Sequence, residues 1–135
     1  MIIDSSALIA ILTGEPERAA FVEAIRAARD PRISAASLLE ASIVVDRRGD
    51  PVLSRQFDDL VSALGITVVP FDAEQLAVGR AAYRDFGKGS GHPAGLNLGD
   101  CFSYALARCR GEALLFTGDD FSHTDVVPAV DSLRS

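Results

Sequence analysis

The sequence has no apolar run approaching the ~18 to 20 residues that a membrane-spanning helix needs. Nor does it open with a basic stretch followed by an apolar one, so no secretory signal is expected and the default compartment is the cytoplasm. Cysteine is scarce. Cys101 and Cys109 are the only two, and in one predicted helix their Cα atoms would stand ~12 Å apart, beyond the reach of a disulfide. With no CxxC pair and no Cys/His cluster, a zinc site is not expected. Both thiols read as small apolar packing residues. Lysine is scarcer still: Lys88 stands alone beside twelve arginines. The net charge of −6 argues against a surface that binds nucleic acid by broad phosphate neutralisation. It does not exclude a nuclease, because a set of cation-holding acids would itself supply much of that charge.

What is present suits one domain spanning residues 1–135, long enough to bury roughly two-thirds of the surface its unfolded chain would expose. The apolar run Ile2-Ile3 reads as a buried parallel strand that ends on Asp4. Ser5 to Leu12 reads as a helix, broken by Thr13-Gly14-Glu15-Pro16. A second helix follows from Glu17 to about Ala28, with Phe21, Ala24, Ile25 and Ala28 at helical spacing, and Asp30-Pro31 ends it. Arg32-Ile33-Ser34 is a short extended piece before a long helix, roughly Ala36 to Arg48. A fourth helix runs from about Val52 to Leu64, and Ile66 to Pro70 is the next strand. Asp72-Ala73-Glu74-Gln75 has the form of a capping box, with Gln75 reaching back to Asp72, and its helix extends to about Asp85.

Gly87 to Gly95 is the one glycine-rich stretch. It matches no GxxxxGK[ST] pattern and follows no strand, so a flexible loop is the expectation rather than a phosphate cradle. Leu98 to Arg110 is a helix with Asn97 as its cap. Ala113 to Phe116 is a buried strand, and Val126-Val127 a candidate short last one. Strands alternate with helices, which implies a parallel sheet with helices on both faces.

Four acids fall at junctions between elements. Asp4 follows the first strand and Glu40 lies in the first turns of the long helix. Asp100 opens the helix after Asn97, and Asp119 or Asp120 follows the strand 113–116. In an open α/β sheet, chemistry gathers at the carboxyl ends of the strands. Each acid also has a local explanation. Asp4 fits an N-cap, Ser37-x-x-Glu40 a capping box and Asn97-x-x-Asp100 a similar arrangement. Two features favour a shared role. Glu40 and Asp100 sit among apolar neighbours, where an unpaired carboxylate is costly. No lysine or arginine lies near Asp4, Glu40 or Asp100 in the sequence. Converging acids without a basic partner call for a cation, and oxygen donors suit Mg²⁺ or Mn²⁺. Such a site supports phosphodiester hydrolysis. Ser5, Ser6 and Thr117 read either as groups that orient ligands or water or as local caps and turns.

Taken together, Ile2-Ile3-Asp4-Ser5-Ser6, Ser34 to Ala41 around Glu40, Leu96 to Ala105 around Asp100, and Leu115-Phe116-Thr117-Gly118-Asp119-Asp120-Phe121 resemble the motifs of a PIN-domain nuclease. More narrowly, they resemble the VapC toxins of bacterial toxin–antitoxin pairs. The resemblance covers essentially the whole chain. It implies a PIN-like three-layer α/β/α fold with a central, mostly parallel sheet of four to five strands. It implies an endoribonuclease dependent on Mg²⁺ or Mn²⁺ that cuts RNA such as tRNA or rRNA. It also implies a homodimer and neutralisation by a cognate VapB-like antitoxin. Carried over by motif, Asp4 and Asp100 are the principal metal ligands, Glu40 is a ligand or water-orienting group, and Asp119 is the fourth acid, with Asp120 as its stand-in. The family's antitoxin tail lies over the acidic site, and the helices 5–12, 17–28 and 52–64 are candidates for the groove that receives it.

Two other functions compete. A phosphatase with an aspartyl nucleophile at Asp4 would want a second acid two residues on, where Ser6 stands, and a lysine near the anion. A non-catalytic PIN-fold module that binds protein or RNA would be signalled by loss of an acid, and all the expected acids are present.

Overall fold

The computed structural model describes residues 1–130, so the last five residues of the expected domain lie outside it. Four strands form one sheet in the order β3-β2-β1-β4, and every pair within it is parallel. They are β1 (Ile2–Ile3), β2 (Arg32–Ser34), β3 (Thr67–Val69) and β4 (Leu114–Leu115). The candidate fifth strand is reduced to one parallel bridge between Leu114 and Pro128. Six helices connect and cover the sheet: α1 (Ser5–Leu12), α2 (Arg18–Ala27), α3 (Ala35–Asp46), α4 (Pro51–Ala63), α5 (Ala73–Phe86) and α6 (Leu98–Arg110). A short 3₁₀ turn covers Asp120–His123. None of the described helices is long and apolar enough to cross a membrane.

Alternation along the strands splits the interior into two cores. Successive strand residues face opposite sides of a sheet. Ile2 and Leu114 accordingly pack with Leu96, Tyr104, Leu106 and Phe116 on the α5–α6 side. Ile3 and Leu115 pack with Leu8, Ile11, Phe21, Ile33 and Phe57 on the α1–α4 side. Ile2, Ile3, Leu114 and Leu115 are all buried completely or to within one per cent. Burying a side chain of this size stabilises by about 1.5 to 3 kcal/mol, so a two-residue strand is sufficient when both of its faces are covered.

Most helix ends follow local chemistry, and two of the expected capping boxes are exceptions. Asp50 caps α4 ahead of Pro51, a residue suited to a first helical turn because it has no N–H to satisfy. Gly111 ends α6 in the left-handed region, where a glycine carries no steric penalty. Asp72 caps α5 by accepting from Gln75 N, but the Gln75 side chain donates to Pro70 O at 3.0 Å rather than back to Asp72. The reciprocal half of the expected capping box is therefore missing, because Gln75 is drawn wholly into the interior. The second exception is Ser37, and it bears on the site. The glycine-rich loop is closed at its base, where Lys88 N donates to Leu96 O and Leu96 N to Phe86 O, both at 2.8 Å.

Candidate active site

Parallel strands put all their carboxyl ends on one edge of the sheet, and β1 and β2 each lead straight into a helix there. Asp4, the residue between β1 and α1, is only 3% exposed. Its Oδ2 accepts from Ser6 N at 3.0 Å, so it is an N-cap. Its Oδ1 accepts from Ser103 Oγ, one turn into α6 from Asp100, at 2.5 Å. Capping thus uses one lone pair of one oxygen and leaves the charge available.

Glu40 does not belong to a capping box. The N-cap of α3 is Ser34, which accepts from Ala36 N, because β2 ends there and the helix starts at the next residue. Ser37 lies inside the helix, fully buried, with its Oγ 3.0 Å from Ser103 Oγ. Ser103 has one proton and gives it to Asp4, so Ser37 must be the donor of that pair. A hydrogen-bond chain therefore runs from Ser37 on α3 through Ser103 on α6 to the Asp4 carboxylate just past β1. Glu40, one turn beyond Ser37, accepts at Oε1 from Ser5 Oγ at 2.8 Å. Its carboxylate rests on Gly99, where a side chain would stand 2.6 Å from Oε1 and overlap Cδ and Oε2 outright.

Asp100 does form the expected box. Asn97 Oδ1 accepts from Asp100 N at 2.9 Å and Asp100 Oδ2 accepts from Asn97 N at 3.0 Å. Even so, its carboxyl is pushed up from 3.8 to about 6. Burial is the largest cause, opposed by the Asn97 hydrogen bond and reinforced by the charges of Asp4, Asp120 and Glu40. An N-cap partner alone would lower this pKa. The upward shift therefore records first the burial of this carboxyl and then the neighbouring acids, which together outweigh the cap.

The structure thus brings Asp4, Glu40 and Asp100 into one neighbourhood. Of the two acids after β4, it adds Asp120, whose charge acts on Asp100. Asp119, the preferred fourth acid on motif grounds, lines an adjoining hollow with Glu17, Phe21, Phe116 and Thr117. The 3₁₀ turn that begins at Asp120 separates the directions of the two neighbours.

Two of the three hydroxyls, those of Ser5 and Ser6, act over long range, and Thr117 takes part through its backbone N–H. Besides Ser5 on Glu40, Ser6 Oγ accepts from Thr117 N at 3.1 Å, which ties the end of β4 to the start of α1. None of the ion pairs among the described residues involves Asp4, Glu40, Asp100 or Asp120. Among the described residues no three carboxylates, thiols or imidazoles converge tightly enough to form a ready metal cage. The donors nevertheless fit a hard divalent ion. All are carboxylate oxygens, they repel one another, and Glu40 Oε2 and Asp100 Oδ1 accept no hydrogen bond among the described residues. Beside them opens a hollow of about 460 Å³, lined by Ser5, Ser6, Thr117 and Glu40, floored by Ile9, Ala10, Ala41 and Val44, and rimmed by Glu15 and Glu17.

Sequence reasoning missed Gly99, Ser103 and the true role of Ser37. Signals for two of them existed. Ser103 follows Asp100 by three positions, on the same helix face. Gly99 stands in a helical turn whose backbone does not require glycine.

A fold with carboxylates gathered at the strand ends defines a class, and the comparisons agree with it. The family model described as PIN domain matches residues 1–127, and the chain belongs to that family. Among curated relatives it is 53% identical over 131 residues to Ribonuclease VapC28 of Mycobacterium tuberculosis, covering 97% of this chain and 98% of the relative. It is 50% identical over 129 residues to Ribonuclease VapC42 of the same organism, covering 96% and 98%. Two solved structures share the fold at low identity. A toxin–antitoxin complex from Klebsiella pneumoniae superposes with a TM-score of 0.72 at 17% identity, covering 96% of this chain and 97% of the other. Mycobacterium tuberculosis VapC20, titled a sarcin-ricin loop cleaving toxin, gives 0.70 at 16%, covering 93% and 95%.

Proposed function

We propose that the chain is a divalent-metal-dependent endoribonuclease, the toxin of a toxin–antitoxin pair. The observation that carries the reading is Asp100. Half-buried at the head of α6, it stands close enough to Asp4, Asp120 and Glu40 for their charges to add to the push of burial on its carboxyl, and none of these four acids has an ion-pair partner among the described residues. The family and the ribonuclease names of its relatives support the same chemistry.

Asp4, Asp100 and Glu40 would hold Mg²⁺ or Mn²⁺, with Asp120 rather than Asp119 as the fourth acid. Bound there, the ion would offset the charge of the attacked phosphate and promote ionisation of the attacking water. The protein's own part is positioning and proton handling. Asp4 is fixed by one hydrogen bond on each oxygen. Glu40, held at Oε1 by Ser5, keeps Oε2 to orient the water and accept its proton. The acidic rim repels bare phosphate, so RNA would approach productively only at the neutralised centre.

A cognate VapB-like antitoxin would occupy the hollow beside the site. Its floor suits apolar side chains and its rim, Glu15 and Glu17, suits a basic one. Helices α1 and α3 contribute that floor, whereas α4, one of the expected groove helices, contributes nothing to it. Leu76, Tyr83 and Leu98, exposed at 61%, 45% and 69%, support a homodimer face along α5 and α6. Cytoplasmic RNA, tRNA or rRNA, is the substrate class that fits.

Antitoxin-free protein incubated with total RNA tests the reading. Defined fragments with Mg²⁺ or Mn²⁺ that vanish with EDTA, and in Asp100→Asn, are the expected result. Absence of cleavage across varied RNAs and both metals would favour the non-catalytic binding module.

A further inference from the structure

A glycine inside a helix weakens it relative to alanine, so its presence there calls for a reason. Gly99 is the second residue of α6 and is buried. Its backbone gives no reason, because Gly99 is not among the residues with positive φ. Its surroundings give one. The three nearest atoms that a Cβ at position 99 would meet, Oε2, Cδ and Oε1, all belong to the carboxylate of Glu40. The bare Cα is what lets that carboxylate lie on the first turn of α6, beside Asp100 and at the partly positive end of the helix.

We infer that Gly99 is a positioning residue. By lacking a side chain it seats Glu40 next to Asp100, so that one cation can engage both. The seat and the ligand are adjacent in sequence, so the approach of α3 to α6 is set at the place where the charges meet. Ser5 holds the other side of the same carboxylate at Oε1. Glu40 is thus confined between a hydroxyl on α1 and a bare backbone on α6. An alanine would leave the fold intact, because the displaced group is the far end of a flexible side chain, and would move Glu40 away from the cation. The inference rests on the nuclease reading for its effect on cleavage but not for its effect on metal binding.

The experiment compares wild type, Gly99→Ala, Glu40→Gln and the double variant, each by thermal melt, by Mn²⁺ titration followed by electron paramagnetic resonance, and by RNA cleavage. Gly99→Ala is expected to melt at or above wild type while its Mn²⁺ affinity and its cleavage fall about 10- to 100-fold, the range for lost support of a metal ligand. In the Glu40→Gln background the same change should alter Mn²⁺ affinity no further, because Gly99 acts through Glu40 alone. Wild-type Mn²⁺ affinity in Gly99→Ala would overturn the inference. So would a lowered melt accompanying the loss, or a further loss in the double variant. Wild-type protein that binds Mn²⁺ but cuts no RNA would overturn the nuclease reading instead, and the Mn²⁺ comparison alone would then decide the role of Gly99. Wild-type protein that binds no Mn²⁺ overturns both.

Discussion

The two ends of the sheet handle acids in opposite ways. At the amino end, Glu112 accepts from the Met1 amine at 2.5 Å through Oε1 and from Arg32 through Oε2, and Arg32 also pairs with Asp30. Every carboxylate in that group has a cation. At the carboxyl end, some residues away along the same strands, Asp4, Glu40 and Asp100 have hydroxyl and backbone donors but no cation among the described residues. Hydrogen bonds orient these carboxylates without cancelling their charge. The first arrangement stabilises a fold. The second spends stability on a charge that only a ligand can balance, as strained or crowded groups at functional sites commonly do.

Neutralising an acid at each end is the sharpest way to test that contrast. Asp4→Asn or Asp100→Asn should reduce RNA cleavage to background with the helical circular dichroism unchanged. Asp100→Asn keeps an acceptor for Asn97 N, so its melt should rise at pH 7. The sign follows from linkage. A carboxyl with a folded pKa of about 6 against 3.8 loses stability as pH rises between those values, and the loss is complete above 6. The gain in Asp100→Asn should therefore vanish below about pH 4, the unfolded value. A melt that falls at pH 7 would return Asp100 to a capping role.

At the other end, Glu112→Gln should lower stability by about 1.5 to 3 kcal/mol, the range for hydrogen bonds to charged groups. Cleavage per folded molecule should not change. Loss of activity without loss of stability would break the division between the two ends.

Mg²⁺ or Mn²⁺ in hundredfold excess over its dissociation constant should stabilise wild type by about 2.7 kcal/mol at pH 7. The effect should shrink below pH 6, as protons compete for Asp100, and should persist in Glu112→Gln but not in Asp100→Asn. Differential scanning calorimetry with and without EDTA reads it.

Ser103→Ala should weaken Mn²⁺ binding about 10-fold, the low end for loss of a group that orients a ligand, and Ser103→Thr should recover much of it. The smallest effect separates two neighbours. Asp120→Asn should lower the Asp100 pKa, followed by carboxyl carbon NMR, whereas Asp119→Asn should leave it in place.

Much of the fold could be read from local patterns. The helix over residues 5–12 and the one over 98–110 fall where the apolar spacing and the Asn97 cap put them. β-Branched runs marked Ile2-Ile3 and the strand at 67–69. Ser37 was misread because S-x-x-E is the pattern of a cap wherever it occurs. Only the end of β2 at Ser34 makes that serine the cap and turns Ser37 inward. The preference for Asp119 over Asp120 rests likewise on a local pattern, the spacing from Thr117. Neighbours in sequence differ in direction by the local backbone, and a 3₁₀ turn begins between them.

By itself the sequence determined the elements, the parallel α/β plan and the identity of Asp4, Glu40 and Asp100 as acids at junctions. These depend on periodicity, capping and strand ends, all of which act within a few residues. Tertiary structure alone decided that Ser37 and Ser103 hold Asp4, that Glu40 rests on Gly99, and that Asp120 joins Asp4 and Glu40 in acting on Asp100. Those relations join residues that lie far apart in the sequence, 99 positions in the case of Asp4 and Ser103. They exist only because parallel strands bring one end of every strand to the same edge, where the field of one carboxylate reaches the next.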